Sequence, residues 1–138
     1  MGEMYQMGRH RVMGGDSKKK EDVDQRMDGV KADMVFTDTP YNVDYAAKNK
    51  FLNALDKGNR VQSYIAGDNN DTDEYTAEHL WKPAFQNMLN NSKEDCSIYV
   101  TMPQGGHHMM MMKASEDSVE VKHELKVVMK YTGDVRNG

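Results

Sequence analysis

Residues 32 to 42 read Ala-Asp-Met-Val-Phe-Thr-Asp-Thr-Pro-Tyr-Asn, a short apolar run that stops on a carboxylate, a proline and an aromatic ring. Met34-Val35-Phe36 reads as a buried strand, and the polar residues after it as the loop which that strand delivers at its C-terminal end. In open α/β sheets ligands bind in the crevice outside the carboxyl ends of the strands. An acid and an aromatic ring placed there are candidates for holding a flat, hydrogen-bonding substrate.

The rest of the chain fits around that strand. Residues 1–8 show no clear period and read as a frayed lead-in. Residues 9–17 read as a short strand ending in a Gly14-Gly15 turn, with Asp16 or Ser17 as the N-cap of a charged helix. That helix has only Val23 and Met27 on its apolar stripe, and Gly29 is placed to end it. Residues 43–70 are polar and irregular, which predicts a flexible loop near the acid–aromatic turn. From Asp71, paired with Glu74 as a capping box, Ala77, Leu80, Trp81, Ala84 and Met88 recur at helical spacing. Pro83 falls inside this pattern and should kink or divide the helix. Ser97–Met102 is the next buried strand, residues 107–118 a Met-rich helix, and Leu125, Val127, Met129 and Tyr131 alternate as a last strand. Strands alternating with helices predict an α/β domain with an open, mainly parallel sheet and flanking helices.

Composition narrows the function classes. The 138 residues are one domain's worth, 38% apolar and 29% charged, with mean hydropathy −0.86. No apolar run approaches the ~18–20 residues of a membrane span, and no signal peptide is recognised, so no membrane partner is expected. Cys96 is the sole cysteine, which excludes an intrachain disulfide and fits a cytoplasmic location. A net charge of −4 argues against strong nucleic-acid binding by the chain as a whole; DNA contact would need a local basic patch or a further segment. Cys96, His107, His108 and His123 lack zinc-site spacing, so no metal is expected. Met109–Met112 can bury only about half its side chains, since a helix spreads four consecutive residues around its axis. Lys18-Lys19-Lys20 runs straight into Glu21 and Asp22 and reads as a solvated helix start.

The chemistry lies in Asp38-Thr39-Pro40-Tyr41. An ionised Asp only accepts hydrogen bonds, so Asp38 suits an exocyclic amine that presents its protons and exposes its lone pair. The Thr39 carbonyl could take the second proton. Pro40 stiffens the turn, and the Tyr41 ring could stack on a heterocycle. An ordinary Asp-Pro turn reads equally well from these residues alone.

This stretch resembles the strand and signature loop (Asp-Pro-Pro-Tyr in its usual form) of amino-group DNA methyltransferases, which act on adenine N6 or cytosine N4. His10–Ser17 resembles the upstream strand ending in Gly-Asp-Ser. Residues 65–69 and 83–88 resemble the segment and helix that follow, and residues 97–106 and 123–130 the next two strands. The resemblance thus runs in order from about residue 9 to 130. It implies part of the Rossmann-like fold of S-adenosylmethionine-dependent methyltransferases, and methyl transfer from S-adenosylmethionine to an amine of a base rotated out of DNA. Asp38, Thr39, Pro40 and Tyr41 would form the catalytic loop, and Asp16 would lie near the cofactor's adenine. Two departures stand out: Thr39 replaces the first proline, and the family's glycine-rich cofactor loop and target-recognition region are not found. The resemblance therefore implies a single partial catalytic domain over 1–138, completed by a C-terminal half or a partner chain. A catalytically inactive remnant, or a small α/β nucleotide- or DNA-binding module, remains the alternative.

Overall fold

The computed structural model describes residues 2–103 and 106–117. In chain order the elements are β1 (Glu3–Met7), β2 (His10–Gly14), α1 (Lys20–Met27), β3 (Ala32–Asp38), α2 (Tyr45–Asp56), α3 (Asp73–Thr76), α4 (Lys82–Asn90), β4 (Ser92–Thr101) and α5 (Gly106–Asp117). The architecture is α/β. Among the described residues the strands form two separate pairs, β1–β2 antiparallel and β3–β4 parallel. The predicted strand at residues 125–131 lies outside the described residues.

Three expectations about the first 70 residues are corrected. Within the expected lead-in of residues 1–8, Glu3–Met7 is not frayed, because it pairs with β2 from Glu3↔Gly14 to Met7↔His10. The connection is the two residues Gly8-Arg9; Gly8 sits at φ +62° and Arg9 on the negative side, as in a II′ hairpin turn that demands glycine first. This pairing takes β2 out of the parallel sheet. Second, residues 43–70 are not irregular throughout, because Tyr45–Asp56 is a three-turn helix capped by the Asp44 carboxylate on the Ala47 amide at 3.1 Å. Its buried residues are Ala46 and Asn49, so its inward stripe is small and polar and leaves no apolar period to read. Third, α1 has no side-chain cap: its start is Lys19, and Asp16 instead accepts from the Lys18 amide.

The long helix predicted from residue 71 is divided ahead of Pro83. Thr72, not Asp71, is the cap, its hydroxyl accepting from the Tyr75 amide at 3.1 Å. A wide π-type turn over Ala77–Trp81 then hands over to α4, whose second residue is Pro83. Proline has no N–H to give the previous turn and its ring clashes with that turn's carbonyl, and widening the turn accommodates both.

The main core lies on one side of the β3–β4 pair. Trp81 (0% exposed), Phe85 and Met111 form it with Ala77 and Ala114, and Val100, Met102 and Tyr41 pack against it. Each large side chain buried there contributes about 1.5–3 kcal/mol. Of the methionine run, Met111 is buried and Met110 half-buried in the core, whereas Met109 faces solvent. The other sheet face is open among the described residues, with Phe36 69% exposed beside Met34 and Tyr99. Register decides which side each residue takes: Val35 and Thr37 pair with Ile98 and Val100 toward the core, Phe36 and Asp38 with Tyr99 and Thr101 away from it. No described helix is long and apolar enough to cross a membrane.

Candidate functional site

β3 ends on Asp38, and the parallel register sets Thr101, the last residue of β4, directly beside it. The Thr101 hydroxyl donates to Asp38 Oδ1, and the Tyr41 hydroxyl donates to the same oxygen at 2.9 Å. Asp38 is thus held by two donors through one oxygen. Tyr41 folds back over the end of the strand and packs against the main core. Burial pushes its phenol above the usual tyrosine value; the Thr101 hydroxyl opposes that shift and the Asp38 carboxylate adds to it.

The next two residues turn inward. Thr39 is 8% exposed, with its hydroxyl 3.8 Å from the Met111 sulfur. The Pro40 carbonyl accepts the indole N–H of Trp81 at 2.9 Å. A loop that lacks the φ restraint of a first proline is therefore fixed by side-chain contacts to α5 and to the turn before α4. Asn42, at φ +58°, closes the loop: its amide donates to Asp73 at 3.0 Å, and its carbonyl oxygen accepts the Asn70 backbone N–H at 2.7 Å. His107 Nδ1 lies 2.7 Å from the same Asp73 carboxylate, tying the start of α5 into the cluster. Beyond it, Asp68 is 4% exposed and accepts the backbone N–H groups of Val43 and Tyr45 at 3.1 and 2.8 Å.

Two cavities flank this loop. One of about 250 Å³ is lined by Asp38, Thr39, Pro40 and Tyr41 together with Tyr45 and Ile65. It is below the ~300–1,000 Å³ typical of drug-sized ligand sites, and suits one ring system. The other, about 400 Å³, has Pro40 in its wall as well, with Asp16, Ser17, Lys18, Asn70 and the Tyr75–His79 pair. Those two rings stack at 4.0 Å between centroids, 16° from parallel. The fold thus brings Asp38, Thr39, Pro40 and Tyr41 to one cavity and places Asp16 in the adjoining one. Asp16 is partly engaged already, one carboxylate oxygen accepting from the Lys18 amide at 3.0 Å and the other 3.5 Å from the Lys18 ammonium.

Sequence reasoning missed Thr101, Trp81 and Asp68. Thr101 could have been found by aligning the C-terminal ends of the two parallel strands, which are exposed on one face and not buried as expected, and the position of Trp81 on the apolar stripe hides the polar use of its indole. For Asp68, two backbone donors brought from 25 and 23 residues earlier in the chain leave no trace in spacing. No group of three or more His, Cys, Asp or Glu side chains among the described residues could hold a metal ion. Compared with protein-family models, curated proteins and solved structures, the chain finds no match.

Proposed function

We propose that this chain carries the catalytic-loop portion of an amino-group DNA methyltransferase of Rossmann-like fold, acting on adenine N6 or cytosine N4. The observation that carries the reading is the pair of cavities meeting at Pro40, one bearing Asp38 and Tyr41, the other Asp16. A group-transfer enzyme needs donor and acceptor sites in contact, and positioning supplies most of its acceleration. The resemblance of the Asp38–Tyr41 loop supplies the reaction class.

In this reading the free oxygen of Asp38 accepts one proton of the target amine and the Thr39 carbonyl accepts the other. The nitrogen lone pair then points away from both acceptors. Asp38 Oδ1 is already taken by Tyr41 and Thr101, so the carboxylate is oriented before the base arrives. The face of Tyr41, braced by its hydroxyl, covers the base and keeps water from the nitrogen. S-adenosylmethionine would supply an electrophilic methyl group. Its fit to the described residues is partial: the 400 Å³ cavity is of adequate size and offers Asp16 and the Tyr75–His79 rings, but the described loops carry no Gly-x-Gly cradle. The chain alone is therefore expected to bind the cofactor weakly, and calorimetry giving micromolar affinity would overturn that expectation.

The test is transfer of labelled methyl to unmethylated DNA at high cofactor concentration. Label on adenine N6 or cytosine N4, lost in Asp38→Ala, supports the reading. Equal incorporation by parent and Asp38→Ala would sink it, and no incorporation by either would favour an inactive, nucleotide-binding remnant.

A further inference from the structure

We propose that α2 and the return segment, residues 57–65, form a cationic platform for a nucleic-acid strand beside the Asp38–Tyr41 cavity. The observation behind it is a separation of charge. Residues 45–65 hold Lys48, Lys50, Lys57 and Arg60 against one acid, Asp56; four cations less one carboxylate leave +3, in a chain whose total is −4. Everything outside the segment therefore sums to −7, and the positive field is concentrated on this element. Arg60 and Asp56 pair through two bonds of 2.9 and 2.7 Å. Lys48, Lys50 and Lys57 are exposed and make no ion pair among the described residues. The nearest acids on either side, Asp44 and Asp68, are turned onto backbone amides of Ala47, Val43 and Tyr45.

Aromatic rings stand among these cations. Phe51 and Tyr64 are largely exposed and Tyr45 is half-exposed. Surfaces that track a nucleic-acid strand combine cations for the phosphates with rings on which bases stack. An anionic membrane surface also attracts lysines, but a helix that lies in it segregates an apolar face from its cations. Here Lys48 shares a helix face with Phe51 and Leu55, three and seven residues on, so cation and apolar groups interleave. The geometry also fixes where the strand would run: Tyr45 at the start of α2 and Ile65 at the end of the return segment both line the Asp38 cavity. That last placement rests on the reading of Asp38 as the base-receiving acid; the binding itself does not.

Fluorescence anisotropy of a labelled oligonucleotide, single-stranded and as a duplex, tests this without cofactor over a range of salt. The parent chain should bind with affinity falling linearly on a log–log salt plot. Reversing Lys48, Lys50 and Lys57 together to Glu should weaken binding by about tenfold or more at low salt and lower the slope by about two to three. Reversing Lys20, Lys31 and Lys93, which lie at the N-terminal ends of α1, β3 and β4, changes net charge equally and should leave binding near the parent's. Circular dichroism checks that each variant is folded, and a Lys→Gln version of the first set replaces it if reversal unfolds the chain. Equal loss in both sets, absence of binding by the parent, or binding to phosphatidylserine vesicles in place of DNA would overturn the platform. Binding localised to α2 without Asp38-dependent methyl transfer would remove the catalytic reading and leave the platform standing.

Discussion

The loop from Asp38 to Asn42 and the helix α2 follow one another in the chain, yet they are held in opposite ways. Each residue from Asp38 to Asn42 has a long-range anchor: Thr101 on Asp38, Met111 on Thr39, Trp81 on Pro40, the core on Tyr41 and Asp73 on Asn42. α2 buries only Ala46 and Asn49, and its most specific ties run to its own return segment, Asn49 to the Val61 carbonyl at 2.6 Å and Asn53 to Arg60 at 2.9 Å. Groups that must meet a substrate atom with sub-ångström accuracy need a rigid surround. A surface that accommodates a long polyanion works through charge and can open locally at low cost. On the proposed reading, the contrast separates a positioning loop from a docking element.

The strongest way to break it is at Trp81. Trp81→Ala should cost about 3–5 kcal/mol in denaturant unfolding, from the cavity together with the Pro40 carbonyl left without its indole donor. A loss under about 1 kcal/mol would mean that the loop is not held by the core. At the other region, Asn49→Ala removes a donor that is 4% exposed, and about 1 kcal/mol is expected globally. Hydrogen exchange should accelerate across α2 and not at residues 38–42; uniform acceleration would erase the distinction between the two regions. The smallest effect is on Tyr41. Its phenol is raised by burial, so the folded chain keeps a proton that the unfolded chain releases near pH 10. The stability this provides is complete below that pH and is lost as pH rises through the folded value. Absorbance titration of the parent against Tyr41→Phe should show this tyrosine ionising late; ionisation at the ordinary value would contradict its burial over Asp38.

Much of the arrangement was legible because it follows period and punctuation. The Met34–Phe36 run gave β3, the Ala77–Met88 stripe gave the divided helix, and Asp-Thr-Pro-Tyr gave the cavity wall. What escaped has physical causes. α2 turns Ala46 and Asn49 inward, so its buried face looks like a loop by composition. β1 is exposed along its whole length, so pairing through backbone hydrogen bonds and a Gly8 turn leaves no hydrophobic alternation. Thr101 and Trp81 act on Asp38 and Pro40 across 63 and 41 residues of chain, and such contacts exist only once β3 and β4 are in register and the core is closed.

Asp38 is the residue proposed to receive an exocyclic amine. The most direct measurement of that role is a nuclear magnetic resonance titration with deoxyadenosine, deoxycytidine and N6,N6-dimethyldeoxyadenosine, the last of which has no amine proton to donate. Shifts are expected at Asp38, Tyr41 and Thr101 with at least one amine-bearing nucleoside, little with the dimethyl compound, and none in Asp38→Ala. Equal shifts with all three nucleosides, or shifts confined to other residues, would contradict that role.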